Sequence, residues 1–272
     1  MQPKLSIVTI SYNQAHFVRE TLESVLDQLT DEMEYIVIDG GSTDGSPEII
    51  AEYADRLAYT VSEPDSGPAQ ALNKGLAAAT GEYFYYLNSD DLLLPQALQK
   101  MLRYTRQHPA ADVLYGHGVM QFDHDDSREK IYSDRWDLRL YQSRVISIIQ
   151  QGTLIRTGAL RGVGGFNEKN RLNWDGEVLV DLDLAGASFR RVDDFFGVFR
   201  MYPGSITNTL SGPAAAKASS NRQRIAERIT AKRGYEPFGP AAARLRKWLT
   251  DPLTMLRKVG VKGRIDRKLS EL

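Results

Sequence analysis

The feature that most constrains the fold is Tyr83-Phe84-Tyr85-Tyr86-Leu87, five consecutive aromatic and aliphatic residues that stop on Asn88-Ser89-Asp90-Asp91. An uninterrupted apolar run of this length reads as a strand buried on both faces. Such strands lie in sheets covered by helices on both sides, and ligands bind outside their carboxyl ends. Paired aspartates at that place offer hard oxygen ligands to a magnesium- or manganese-type cation, which usually completes its shell with substrate phosphates. A plainer account also holds, in which Asp91 caps a helix suggested by Leu92–Leu102.

The residues before this run alternate between two periodicities. Leu5–Ile10, Glu34–Asp39 and Leu57–Ser62 read as strands; His16–Leu29, Glu48–Tyr53 and Pro68–Ala79 read as helices, the second opened by Ser46-Pro47. Pro95–His108 predicts a helix, Asp112–Tyr115 a strand, and Gly118–Ser133 a hairpin with His124-Asp125-Asp126-Ser127 at its tip. Strands alternating with helices imply βαβ units and a mostly parallel sheet in an α/β fold. Beyond Gly152 the pattern loosens into Gly-rich loops, and from Pro213 it turns helical, basic and alanine-rich.

Composition removes several classes of function. With 42% hydrophobic and 25% charged residues over 272 positions, the chain has the make-up of a soluble globular protein with a sizeable core. It has no cysteine, which excludes disulfides and thiolate metal sites and suits a cytoplasmic setting. Lys4–Ile10 is too short and too β-branched for a signal peptide, and no window has the length of a membrane span. The four histidines (His16, His108, His117, His124) lack metal-ligand spacing and read as structural or exposed. No GxSxG nucleophile pattern occurs.

The net charge of -1 conceals an asymmetry: residues 211–272 carry 15 Lys and Arg against 5 Asp and Glu, while residues 1–210 carry 19 against 30. In the tail, Leu245, Trp248, Leu249, Leu256 and Val259 recur near helical spacing among Arg244, Arg246, Lys247, Arg257 and Lys258. A basic amphipathic tail suits an anionic membrane surface, or docking against the body or a second subunit.

Asp39-Gly40-Gly41-Ser42-Thr43-Asp44-Gly45-Ser46 follows the second strand and opens a helix, a tight turn with a weak phosphate-binding signal. The order Val8-Thr9-Ile10-Ser11-Tyr12-Asn13, Ile38 through Gly45, Asn73-Lys74-Gly75, Gly81-Glu82-Tyr83, Asn88-Ser89-Asp90-Asp91, Gly164-Gly165-Phe166-Asn167-Glu168, Trp174-Asp175 and Phe199 through Ser205 says more. Together these closely resemble the family 2 glycosyltransferases, inverting enzymes of the GT-A fold with a Rossmann-like sheet, over about residues 4–207.

The resemblance implies a nucleotide-diphosphate sugar donor, a saccharide or lipid-linked acceptor, and Mg²⁺ or Mn²⁺. It implies Asp91 as the metal ligand, with Asp90 on the donor ribose or the metal's waters. Ser11, Tyr12, Asp39, Gly40, Asp65, Lys74 and Arg200 fall at donor positions, Tyr12 stacking on the base and Arg200 facing the diphosphate. Asp175 matches the catalytic base, with Glu177 as second candidate; Gln150-Gln151-Gly152 and Trp174 fall where the acceptor pocket is shaped. Two departures stand out. Gly40 replaces a carboxylate that commonly reads uracil, so uridine selectivity is expected to weaken unless Asp44 or Asp65 substitutes. Tyr202 replaces a histidine that can complete the metal shell.

The expected organisation is a donor half over 1–117, an acceptor and base half of the same domain over 118–210, and the basic helical tail over 211–272. The expected product is a polysaccharide, lipopolysaccharide or glycolipid. The enzyme would be cytoplasmic or peripheral on the inner membrane face, with no nucleic-acid partner and with a homodimer left open. The rival readings are a sugar nucleotidyltransferase, against which the Ser11-Tyr12-Asn13-Gln14 loop counts, and a non-catalytic nucleotide-sugar binder.

Overall fold

Helices and strands alternate as the periodicity predicts in the computed structural model, which describes residues 4–205 and 211–260. The first half runs β1 (Leu5–Ser11), α1 (Val18–Leu26), β2 (Met33–Asp39), α2 (Ser46–Ala51), β3 (Tyr59–Ser62), α3 (Pro68–Ala78), β4 (Tyr83–Asn88), β5 (Leu92–Leu93) and α4 (Ala97–Gln107). The second runs β6 (Val113–Phe122), β7 (Arg128–Ile131), α5 (Leu138–Gln142), β8 (Thr153–Arg156), α6 (Thr157–Gly162), α7 (Trp174–Leu184), β9 (Phe189–Met201), α8 (Gly212–Arg233), α9 (Pro240–Thr250) and α10 (Pro252–Gly260).

The strands form one sheet in the order β3-β2-β1-β4-β8-β6-β9-β5, with β7 hydrogen-bonded to β6. It is parallel from β3 to β4. Beyond β4 it is mixed: β8 runs antiparallel to both β4 and β6, and β9 runs parallel to β6. Period-two alternation sends Leu5, Ile7, Tyr35, Val37, Tyr83 and Tyr85 into one core with α1 and α4. Val8, Ile10, Ile36, Ile38, Phe84 and Tyr86 enter the opposite core with α3 and α7. All seven residues of β1 are therefore buried, as a doubly covered sheet requires.

Three expectations change. The helix after Asp91 does not start at Leu92; Leu92 and Leu93 pair with Val198 and Gly197 of β9. α4 begins only at Ala97, after Pro95 and a left-handed Gln96 (φ 61°). β9 itself goes unread in the sequence, because charged Arg190, Arg191, Asp193 and Asp194 break its apolar pattern.

The tail is helical and folded onto the body. Ile225 and Ile229 of α8 pack with Leu138 and Val180, and Ala243 of α9 with Leu140 and Ile146. Its basic side chains meet body carboxylates: Arg224 on Glu177, Arg228 on Asp181, Arg233 on Asp183, Arg246 on Asp137, Lys247 and Lys258 on Asp134, and Arg257 on Asp193. The charge asymmetry is thus in large part an intramolecular interface. The last stretch of the expected tail, 261–272, lies outside the described residues. No helix among the described residues is long and apolar enough to cross a membrane.

Candidate active site

The carboxyl ends of β1, β2, β3 and β4 lie along one edge of the parallel half-sheet, and their loops are sewn together there. The Gly40 N–H donates to the Ser11 carbonyl at 2.8 Å, and the Ser89 N–H to the Ile10 carbonyl at 3.0 Å. Asp39 is 1% exposed, and its carboxylate accepts from the N–H groups of Gly41 (3.1 Å) and Ser42 (2.9 Å) and from the hydroxyls of Ser42 (2.5 Å) and Ser62 (2.6 Å). Asp44 accepts from the Ala15 N–H (2.8 Å) and from the Ser46 N–H (3.1 Å) and hydroxyl (2.6 Å). Burial pushes the Asp44 carboxyl up, but these hydrogen bonds outweigh it and hold it below the usual range. The loop's own carboxylates therefore occupy the donors that a phosphate would need. The glycine-rich turn is a structural clasp, and Asp44, exposed at its rim, is engaged on both oxygens.

Tyr12 stands 62% exposed just past the end of β1, with its ring available for stacking. The Ser11 hydroxyl is buried without a hydrogen-bond partner. A Cβ on Gly40 would come within 2.7 Å of Asp65 Oδ2, so the Asp65 carboxylate fills the space that an acidic side chain at 40 would take. Asp65 Oδ1 is held by the Gly67 N–H at 2.7 Å. Lys74 on α3 reaches the Pro64 carbonyl (3.2 Å) and Glu63 (2.8 Å), beside that same loop.

The Asp90–Asp91 pair divides in the opposite sense to the expected one. Asp91 is fully buried; its Oδ1 accepts from the Arg200 N–H (3.2 Å), and its Oδ2 from Gln151 Nε2 (2.7 Å) and Asn88 Nδ2 (3.3 Å). Burial pushes the Asp91 carboxyl well above its usual range, with the neighbouring Asp90 charge acting in the same direction. Asp91 thus ties β4 to β9, with both of its oxygens engaged. Asp90 is partly exposed, and its Oδ2 accepts from the Tyr202 hydroxyl at 2.9 Å. Burial raises the Asp90 carboxyl, and the Tyr202 hydrogen bond offsets part of that rise. Asn88 Oδ1 is buried without a partner. An amide oxygen and one carboxylate at a strand end are hard donors that fit a divalent cation bringing its own phosphates and waters. Among the described residues no group of three or more acidic, histidine or cysteine side chains forms a ready metal cage.

Arg200 does not reach outward either. Its side chain is 8% exposed, paired with Glu20 and set over the Phe17 ring at 5.1 Å, which makes it part of the scaffold under Tyr202.

Asp175 opens α7 and lines a cavity of about 290 Å³ with Tyr86, Tyr141, Gln150, Asn173 and α8 residues. Burial raises its carboxyl above the usual range. Gln150 joins this cavity to the strand-end cluster: its Nε2 donates to the Tyr86 carbonyl (2.7 Å), and Asn88 Nδ2 lies 3.5 Å from its Oε1. Gly176 lets Tyr141 close the wall, since a Cβ there would sit 2.0 Å from the tyrosine hydroxyl. Glu177 is unsuited to act as a base. It is fully buried, held by Asn167 (3.1 Å), Asn170 (2.6 Å) and a two-pronged Arg224 (2.8 and 2.7 Å). Trp174 packs in the core against Tyr86 and Phe166, whereas Gln150 does line the cavity. The sequence reading missed Asn88, Asn173, Tyr141 and the whole α8 wall. Asn88 alone had a signal, its place two residues before Asp90.

Sheet order, mixed second half and strand-end acidic cluster together define a GT-A fold. Residues 6–164, more than half of the chain, match the model of glycosyl transferase family 2, and the chain belongs to that family. A glycosyltransferase of teichuronic acid biosynthesis in Bacillus subtilis, TuaG, is 35% identical over 125 residues, 45% of this chain and 50% of its own. A PGL/p-HBAD biosynthesis glycosyltransferase of Mycobacterium bovis is 28% identical over 180 residues, 64% of this chain and 68% of its own. The chain thus spans half of TuaG, and only 30% of the glycosyltransferase EpsH of Bacillus subtilis. Among solved structures, Staphylococcus aureus TarS 1–349 in complex with UDP-GlcNAc superposes with a TM-score of 0.66 at 18% identity, over 94% of this chain and 76% of that one. The Pyrobaculum calidifontis mannosyltransferase PcManGT, in complex with GDP-Man and Mn²⁺, gives 0.57 at 19%, over 95% and 83%.

Proposed function

We propose that the protein transfers a sugar, with inversion, from a nucleoside diphosphate sugar to an acceptor hydroxyl in polysaccharide, lipopolysaccharide or glycolipid assembly. The observation that carries this reading is that Gln150, in contact with Asn88 two residues before Asp90, lines the same cavity as Asp175, while the competing carboxylates Asp91 and Glu177 are buried and engaged. Family membership and the names of the relatives support the reaction class.

In this reading Tyr12 stacks on the nucleobase, and Asp65 supplies beside Gly40 the carboxylate that position 40 lacks. Ser11, Asp39 and Lys74 hold the shape of the pocket. Asp90 and Asn88 Oδ1 hold Mg²⁺ or Mn²⁺, which when bound offsets charge developing on the leaving diphosphate. Tyr202 orients Asp90 rather than ligating, since a phenol of raised pKa is a poor magnesium ligand. Asp175 accepts the proton of the attacking hydroxyl. TarS was crystallised with UDP-GlcNAc and PcManGT with GDP-Man, so the base is tested directly.

Calorimetry against uridine, guanosine and thymidine diphosphates, with Mn²⁺ or chelator, tests the donor half. We expect Mn²⁺ to strengthen binding by about tenfold or more, and Asp90→Asn to abolish the gain. Asp65→Asn is expected to relax the preference among the bases, because stacking alone is base-tolerant. Equal affinities with metal and with chelator in the wild type would sink the metal assignment. Acceptor-dependent release of nucleoside diphosphate separates transfer from mere binding, and absence of pyrophosphate exchange separates it from nucleotidyl transfer.

We further propose a peripheral membrane position on the cytoplasmic side. With Arg246, Lys247, Arg257 and Lys258 turned to the body, α9 and α10 leave Leu245, Trp248, Leu249, Leu253, Leu256 and Val259 exposed, from 43% to 75%. An outward apolar face with tryptophan suits insertion at a lipid interface. The sequence beyond it, 261–272, carries four Lys and Arg against two acids, which favours an anionic leaflet. Full-length protein is expected to co-sediment with anionic vesicles, and Leu249→Ser/Leu256→Ser to stay in the supernatant. A full-length protein that ignores vesicles and sediments as a dimer assigns the face to a second copy instead.

A further inference from the structure

The cavity beside Asp175 carries two arginines that the transfer chemistry does not require. Arg222 sits on α8 with its Nε donating to the Ala218 carbonyl at 3.2 Å. Arg144 sits on the turn after α5 with left-handed backbone (φ 60°), a conformation uncommon for a branched or long side chain outside a constrained turn. Neither forms an ion pair among the described residues, whereas Arg224, Arg228 and Arg233 of the same helix all do. Two exposed cations without ion-pair partners among the described residues, at the wall of one cavity, form an electrostatic site for an anion.

The same cavity holds acceptors as well. Asn173 Oδ1 and Gln142 Oε1 are buried without partners. Gln142 is only 6% exposed, and its Nε2 is committed to the Ala226 carbonyl (3.0 Å) and Thr230 Oγ1 (2.8 Å), which fixes where the oxygen points. Unpaired buried oxygens are costly and call for donors such as sugar hydroxyls. Two cations and two residues with unpaired amide oxygens thus line one cavity of about 290 Å³, close to the lower end of small-ligand sites.

We propose that the acceptor is an anionic saccharide, whose phosphate or carboxylate is bound by Arg144 and Arg222 while Asn173, Gln142 and Asp175 receive its hydroxyls. The proposal rests on the glycosyltransferase reading and names the acceptor class within it. Binding of inorganic phosphate, farnesyl phosphate and farnesol to the full chain tests it, with the donor site filled by Mg²⁺ and an excess of whichever of uridine, guanosine and thymidine diphosphate binds most tightly. Both phosphates are expected to bind, farnesol weakly or not at all, and Arg144→Gln/Arg222→Gln to weaken phosphate binding by about tenfold or more. Affinity for that diphosphate is expected to stay within about twofold in the variant, which also controls for folding. Farnesyl phosphate binding much more tightly than inorganic phosphate assigns a lipid-linked acceptor; equal affinities assign a soluble anionic saccharide. If a nucleoside diphosphate binds but neither phosphate distinguishes wild type from variant, the anionic acceptor is wrong and the donor reading stands. If none of the three diphosphates binds, the glycosyltransferase reading falls first.

Discussion

Asp175→Asn is expected to lower kcat by about 10²–10⁴ while leaving nucleoside diphosphate affinity within a few-fold, because a general base acts in the transition state and not on the bound donor. That loss corresponds to about 3–5 kcal/mol of barrier. The amide keeps the size of the side chain and can still accept a hydrogen bond from the acceptor hydroxyl, but it cannot take the proton. The pH profile supplies a second check. Burial raises the Asp175 carboxyl, and only the ionised form can act, so activity falls as pH drops through that raised value. The acid limb of kcat/KM should therefore lie above the ordinary aspartate value of about 4. Near-normal turnover in Asp175→Asn, or an acid limb at or below that value, removes Asp175 from the role.

Glu177 carries the second large effect, on stability. Its carboxylate is fully buried between α7 and α8, with Arg224 at 2.7 Å and Arg228 at 3.3 Å. Removing both partners in Arg224→Ala/Arg228→Ala leaves a buried charge held only by Asn167 and Asn170. The expected cost is about 3–5 kcal/mol, a fall in Tm of roughly 6–15 °C. Arg233→Ala, which removes a more exposed pair with Asp183, should cost no more than about 1 kcal/mol. The pH dependence reverses between the two proteins. In the wild type burial raises the Glu177 carboxyl, but Arg224, Asn170 and Asn167 outweigh it and lower its pKa. Its stabilisation is then present above the unfolded value of about 4.3 and lost as pH falls through the lower folded value. Without the arginines burial dominates, the folded pKa rises, and the variant regains stability as pH falls through it. Melting curves from pH 7 downward read both effects. Equal melting temperatures for the double variant and the wild type at pH 7 would show that α8 is held by its apolar face alone.

This anchoring changes what the C-terminal segment is. Ile225, Ala226 and Ile229 form a wall of the cavity around Asp175, so α8 belongs to the site although it lies beyond the family-matched residues 6–164. Only α9 and α10 retain the character of an appendage with an outward apolar face.

By itself the sequence determined the alternation of strands and helices, the doubly buried β1, β2 and β4, and the clustering of Tyr12, Asp39 and Asp90 at one sheet edge. These follow from periodicities of two and 3.6 residues and from the topology of βαβ units, which are local properties. Tertiary structure alone decided which member of each acidic pair faces the crevice. Asp90 and Asp91 are adjacent in a turn, and partners 60 and 109 residues away, Gln151 and the Arg200 N–H, draw Asp91 inward. Asp175 and Glu177 lie two positions apart on one helix, about 200° around its axis, so one faces the cavity and the other the Arg224 of α8. The direction of the tail's charges was decided in the same way, since only the folded body presents Asp134, Asp137, Asp183 and Asp193 to meet them. Side-chain orientation at such places depends on contacts distant in the chain, and no local pattern encodes it.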